Sequence, residues 1–71
     1  MSTLDARLLA AHAAGDHTAL STLYAEAAEG AQGEARAFYL TQALVYALEA
    51  GRPEACDLRR ALVRMGRDSP A

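Results

Sequence analysis

The stretch RAFYLTQALVYALEA, residues 36–50, decides the fold, because five large apolar side chains and two of the three tyrosines fall within it. At about 100° per residue, Leu40, Leu44 and Leu48 form one ridge at positions i, i+4 and i+8. Phe38 and Val45 lie on the flank of that ridge. The pattern predicts a helix with a wide buried face against which the other segments pack.

The opposite side of this helix carries a second stripe, in which aromatic rings alternate with polar groups: Tyr39, Gln42, Tyr46 and Glu49. Tyrosine is common in protein interfaces because it combines a large contact area with a hydrogen-bonding tip. We therefore expect these four residues to contact a protein partner. The alternative is that neighbouring helices of the same chain cover both rings.

The composition predicts an all-α domain. Eighteen of the 71 residues are alanine, and the chain has neither Trp nor Ile. Alanine and leucine favour helices, and no segment has the β-branched and aromatic content of a strand. A chain of this length makes one small core, and its single cysteine allows no intrachain disulfide. Additional stability is therefore expected from self-association.

Local signals divide the chain into four helices. Ser2 and Asp5 have the spacing of a capping box at the start of the first helix, which ends at Gly15. Asp16 is a good N-cap for the second helix. After the Gly30–Gly33 linker, the third helix runs from about residue 34 to residue 50 and ends at Gly51, and the fourth has Pro53 at its first position and ends at Gly66. The expected buried edges of the first, second and fourth helices are Leu4, Leu8 and Ala11; Leu20, Leu23, Tyr24 and Ala27; and Ala55, Leu58, Leu62 and Met65.

The two halves of the chain are related by an internal repeat. A shift of 36 residues aligns Leu8 with Leu44, Ala11 with Ala47, Ala14 with Ala50, Gly15 with Gly51 and Ala19 with Ala55. This period is close to the roughly 34 residues of a tetratricopeptide unit. The motifs AGDHTALSTLYAEAA (residues 14–28) and LTQALVYALEAGRPEA (residues 40–55) resemble tetratricopeptide turns, and residues 27–35 are also similar to Sel1-like repeats.

This resemblance to the tetratricopeptide-like family implies two stacked αα-hairpins that form a fragment of a right-handed superhelix. It also implies protein binding, usually on the surface lined by the first helix of each hairpin. We expect one four-helix domain over residues 1–66 and a flexible C-terminal tail over residues 67–71.

Arginine dominates the second half of the chain. Residues 1–35 carry a net charge of −4 and residues 36–71 a net charge of +2, and all seven basic residues are Arg. The expected basic patch of the fourth helix consists of Arg52, Arg59, Arg60, Arg64 and Arg67. The alternative function is therefore that of a regulatory protein that binds nucleic acid or an acidic partner there. Because the chain is acidic as a whole, nucleic acid is the less favoured partner.

No pattern of catalytic chemistry occurs in the sequence, which holds neither a Ser/His/Asp set nor a Gly-rich phosphate loop. We expect no enzymatic activity, no cofactor and no small-molecule substrate. His12, Asp16 and His17 cluster around the first turn, but their spacing does not fit a metal site, and His12 is expected to be half-buried. Cys56 lies among arginines that would activate a thiol, and its redox activity is left open.

The sequence predicts a soluble protein, since it has no signal peptide at its start and no apolar run long enough to span a bilayer. We expect a cytoplasmic location and, from the abundance of Ala and Arg, a bacterial source. The predicted function is that of a small non-enzymatic interaction module, either an adaptor or a homo-oligomer, and a homodimer is the expected state.

Overall fold

The computed structural model describes residues 3–66 and shows an all-helical chain. Its four helices are α1 (Thr3–Ala14), α2 (His17–Glu29), α3 (Gly33–Glu49) and α4 (Glu54–Arg64), and residues 3–66 contain no strand. The predicted all-α class is confirmed. The predicted tail and the Ser2 capping residue lie outside the described residues.

The helices begin and end where local chemistry predicts. Asp16 caps α2, because its carboxylate Oδ1 accepts a hydrogen bond of 3.1 Å from the Ala19 N–H. Gly15 and Gly51 follow α1 and α3 with φ of +64° and +66°, a conformation that glycine adopts without a Cβ clash. After each glycine, the next backbone N–H bonds back to a carbonyl of the last helical turn, over 3.0 Å to Ala11 and 2.8 Å to Ala47. This hydrogen-bond pattern is the Schellman motif, and α1 and α3 thus end in the same way.

Consecutive helices pack against each other, so α3 lies between α2 and α4, and α1 packs on α2. The paired residues show that neighbours are antiparallel. Arg7 near the start of α1 bonds to Glu26 near the end of α2, and His17 at the start of α2 lies beside Glu49 at the end of α3. Leu40, in the first half of α3, packs with Leu62 near the end of α4. The principal dimensions are 35 × 26 × 12 Å. Each of the four helices keeps exposed residues along its length, so none is fully enclosed by the others.

Two small clusters form the core. In the first, Ala11 of α1 packs with Leu20 and Leu23 of α2. In the second, Ala28 of α2 packs with Leu40 of α3 and Leu62 of α4. The predicted edge of α4 is confirmed, since Ala55 and Leu62 are buried and Leu58 and Met65 are half-buried.

The predicted ridge of α3 is wrong at Leu48. Leu40 is buried and Leu44 half-buried, but Leu48 is 60% exposed. Phe38 and Val45, which were expected on the flank of the core, are 56% and 42% exposed. The buried face is instead formed by Ala37, Leu40, Ala43 and Ala47.

Small side chains explain why α3 turns this face inward. Ala43 and Ala47 are 0% exposed, and the Ser21 hydroxyl of α2 donates a hydrogen bond of 3.0 Å to the Ala43 carbonyl. Such contact between a side chain and the backbone of a neighbouring helix requires a close approach, which alanine permits and a row of leucines prevents. The close packing recovers dispersion energy that offsets the smaller apolar area of each alanine.

Candidate interaction surface

The solvent-facing side of α3 carries a continuous apolar stripe, which we call the α3 outer stripe: Phe38, Thr41, Val45 and Leu48. Their spacing of three, four and three residues places them on one face of the helix. Three of the four large apolar side chains that are prominently exposed in residues 3–66 belong to this stripe, and the fourth is Leu9 of α1. The stripe is thus the main exposed apolar surface of this part of the chain.

Thr41 is the one polar member of the stripe, and its hydroxyl is already hydrogen-bonded. The hydroxyl donates a bond of 2.8 Å to the carbonyl of Ala37, one turn earlier in the same helix. A partner that covers Thr41 therefore buries no unpaired polar group, and no such desolvation cost opposes binding there. The stripe behaves as an apolar surface along its whole length.

The tyrosine stripe of α3 is engaged within the fold. Tyr39 and Tyr46 are half-buried, and both stack on Tyr24 of α2, with ring centroids 6.3 Å and 5.8 Å apart and interplanar angles of 28° and 4°. Gln42 is half-buried between them along the helix, and Glu49 is exposed. The ring faces of Tyr39 and Tyr46 thus contact the chain itself, and partner binding through these four residues stays a prediction.

Two histidines complete this cluster. Nε2 of His12 lies 3.0 Å from the Tyr24 hydroxyl oxygen, and the His12 ring meets Tyr46 edge-on at 5.9 Å. His17 contacts Tyr46 at 5.6 Å, and its Nδ1 lies 3.4 Å from the Glu49 carboxylate. The expectation of a half-buried His12 is wrong, because this residue is exposed. Its ring nevertheless contacts the rings of Tyr24 and Tyr46. The rings of His12 in α1, His17 and Tyr24 in α2 and Tyr46 in α3 thus connect these three helices.

Tyr24 is the hub of the cluster, and no sequence pattern singles it out beyond its place on the expected buried edge of α2. Burial raises the pKa of Tyr24 above its ordinary value of 10.0, and the nearby Tyr46 and Tyr39 hydroxyls raise it further. Its hydroxyl is therefore held in the neutral form in which it bonds to His12. The arrangement serves packing between three helices.

The predicted basic patch is divided between two surfaces. Arg52 lines a groove of about 490 Å³ between α2 and α4, where its Nε and Nη2 each lie 3.2 Å from the Glu54 carboxylate. A backbone hydrogen bond and the Arg52 side chain lower the pKa of Glu54. The groove also holds the carboxylates of Glu26, Glu29 and Asp57, so Arg52 adds no positive surface to α4.

The other described arginines, Arg59, Arg60 and Arg64, share the outer face of α4 with Cys56 and Val63. The Arg60 guanidinium lies 3.9 Å from Asp57. Arg67, the last member of the predicted patch, lies outside the described residues. The described part of the patch is therefore three arginines on one helix face rather than a broad basic surface.

In residues 3–66, no three His, Cys, Asp or Glu side chains are arranged to hold a metal ion. Cys56 is exposed on the outer face of α4. None of the helices in this part of the chain is long and apolar enough to cross a bilayer.

No family model matches the chain, and no curated protein or solved structure matches it either. The resemblance to tetratricopeptide repeats therefore rests on the sequence motifs and the 36-residue internal repeat. The strongest indication of function in the molecule is the geometry of the α3 outer stripe.

Proposed function

We propose that the protein is a small, non-enzymatic protein–protein interaction module whose contact surface is the α3 outer stripe. The observation that carries this proposal is the exposure of Phe38, Val45 and Leu48, at 56%, 42% and 60%, on one face of the central helix. Contiguous apolar surface of this kind on a folded chain marks sites of protein interaction.

The energetics of the stripe fit a binding surface. Covering the exposed parts of Phe38 and Leu48 yields on the order of 1–2 kcal/mol for each side chain. Anchor residues at i, i+3, i+7 and i+10 match the pattern by which one helix packs against another. A helical partner surface is therefore the natural complement.

The resemblance to tetratricopeptide repeats supports the same function. We propose that α1–α2 and α3–α4 are two stacked hairpins of a right-handed superhelix fragment. The shared Schellman ends of α1 and α3, and the packing of α2 on α3 that joins the two hairpins, support this arrangement. In it, α3 is the first helix of the second hairpin, the type of helix that lines the binding surface in the family. We also propose a cytoplasmic location, where a reducing environment keeps the exposed Cys56 thiol unpaired, and a bacterial source, on the abundance of Ala and Arg.

The proposal is tested by placing a charge in the centre of the stripe. Val45→Glu adds one negative charge at an exposed position, and Ala6→Glu adds the same charge on the exposed face of α1 as a matched control. Tagged forms of both variants and of the parent are used to capture proteins from an extract of the source cell, and each captured protein is then purified for calorimetry. We expect Val45→Glu to weaken binding at least tenfold and Ala6→Glu to leave it unchanged.

Equal binding of every captured protein by the parent and by Val45→Glu would contradict the proposal. Because Val45 is 42% exposed, the substitution leaves the core intact, and circular dichroism verifies this for each variant. A loss of helix content in Val45→Glu would show that Val45 belongs to the core. That result would contradict its assignment to an exposed binding surface.

A second candidate surface is the outer face of α4, because Arg59, Arg60 and Arg64 lie together there. This arrangement favours an acidic partner, either a protein or a nucleic acid. Affinity for such a partner falls steeply as salt rises, whereas binding through the α3 outer stripe depends on salt only weakly. A salt series with an acidic peptide and with a DNA duplex therefore separates the two candidates.

A further inference from the structure

We propose that the partner of the α3 outer stripe is a second copy of this chain, packed antiparallel about a twofold axis level with Ala43. This inference rests on the function proposed above, and it adds the identity and the orientation of the partner. A twofold interface joins the same surface of both copies, so that surface must be complementary to itself after a rotation of 180°.

The α3 outer stripe meets this condition, because its members are placed symmetrically about Ala43. Phe38 and Leu48 each lie five residues from Ala43, on opposite sides, and Thr41 and Val45 each lie two residues from it. A twofold axis at that level therefore sets Phe38 against Leu48 of the second copy, and Thr41 against Val45 of the second copy. The large ring meets a flexible leucine at each end, and the smaller side chains meet at the centre.

The polar group of Thr41 does not oppose this contact. Its hydroxyl is bonded to the Ala37 carbonyl at 2.8 Å, so its methyl group is what remains to pack on the valine of the second copy. Burial at the centre of the interface therefore leaves no hydroxyl without a partner.

The helix dipole of α3 favours the antiparallel orientation over the parallel one. In the antiparallel dimer, the positive N-terminal end of each α3 lies beside the negative C-terminal end of the other. In a parallel dimer, like ends of the two dipoles lie side by side, which is less favourable.

The size of the stripe sets the strength of the pairing. α3 has 17 residues and is about 25 Å long, so a contact along one of its faces covers less than the roughly 800 Å² per partner of a standard interface. We therefore expect a dimer with a dissociation constant on the order of micromolar, in reversible exchange with the monomer.

The first experiment is sedimentation equilibrium from about 1 to 500 µM. The full chain is expected to shift from its monomer mass of 7.5 kDa to about twice that value as concentration rises. Val45→Glu is expected to remain a monomer throughout, and Ala6→Glu to dimerise like the parent. A parent that stays at 7.5 kDa at every concentration overturns the inference.

The second experiment determines the orientation by disulfide trapping in a Cys56→Ser background. Phe38→Cys and Leu48→Cys chains are oxidised separately and as a mixture, and the products are identified by mass. In the antiparallel dimer, two copies of position 38 lie about 15 Å apart along the helix axis, whereas a disulfide needs Cβ atoms about 4 Å apart. The mixture is therefore expected to give the mixed dimer at a yield at least tenfold above that of either chain alone.

The remaining outcomes separate this inference from the proposed function. Efficient disulfide formation by Phe38→Cys alone indicates a parallel pairing and overturns the antiparallel arrangement. A yield in the mixture no higher than that of Arg59→Cys mixed with Arg64→Cys, two positions on α4, overturns self-pairing through α3. If that result accompanies capture of a different protein that Val45→Glu abolishes, the proposed function stands and only the second copy is excluded.

Discussion

Substitution of leucine by alanine at three positions of α3 measures which face of the helix forms the core. Leu40 is 6% exposed, Leu44 is half-buried and Leu48 is 60% exposed, so one chemical change samples three degrees of burial on one helix. The sequence alone placed all three on one buried ridge and predicts similar losses. The structure predicts a graded series.

The magnitudes follow from the burial of each side chain. Leu40→Ala removes about three buried methylene equivalents at about 0.8 kcal/mol each and leaves a cavity, for a total of about 2–4 kcal/mol. Leu44→Ala is expected to lower the free energy of unfolding by about 1–2 kcal/mol. Leu48→Ala removes mainly exposed surface, and its effect is expected to stay below about 1 kcal/mol.

Thermal and urea denaturation followed by circular dichroism test the series. In a domain of this size, 1 kcal/mol corresponds to about 4–8 °C in the melting temperature, so Leu40→Ala should lower it by about 10 °C or more. The measurements belong at low micromolar concentration or below, because dimerisation through Leu48 would add to the apparent stability at higher concentration. A loss for Leu48→Ala equal to that for Leu40→Ala would refute the assignment of the buried face.

Three further predictions concern Tyr24, the cap of α2 and the glycine after α3. Because burial raises the pKa of Tyr24 in the folded state, the unfolded chain loses this proton first as the pH rises, and the free energy of unfolding should therefore fall from about pH 10 upward. Tyr24→Phe should remove this component of the decline. Urea denaturation at several pH values tests both expectations. A fall of equal slope in Tyr24→Phe would show that another group is responsible. Asp16→Ala should lower the free energy of unfolding by about 1 kcal/mol, because it removes the bond to the Ala19 N–H, while Asp16→Asn should retain most of it. Gly51→Ala should destabilise by about 1–2 kcal/mol because φ is +66°, whereas Gly30→Ala, at φ −92°, should be close to neutral; similar losses at both sites would mean that the backbone conformation is not the cause.

Local sequence signals determine the helices, caps and turns of this protein. The four helices, the Asp16 cap and the glycine turns after α1 and α3 were all predicted, with boundaries within one or two residues. Each of these features depends on hydrogen bonds between residues a few positions apart, so the residues that decide it are neighbours in the chain. The buried edge of α4 was equally clear, because its other face carries arginines.

The inward face of α3 was decided only by the tertiary structure. Both sides of this helix are apolar, so periodicity could not separate the core from the surface, and the larger leucine ridge was the natural choice. The chain instead buries Ala43 and Ala47, because α2 approaches closely enough for Ser21 to bond to the backbone of α3. That contact spans 22 residues of sequence and depends on how two helices fit together, which no local pattern encodes. The same choice turns Phe38, Val45 and Leu48 outward and so creates the surface on which the proposed function depends.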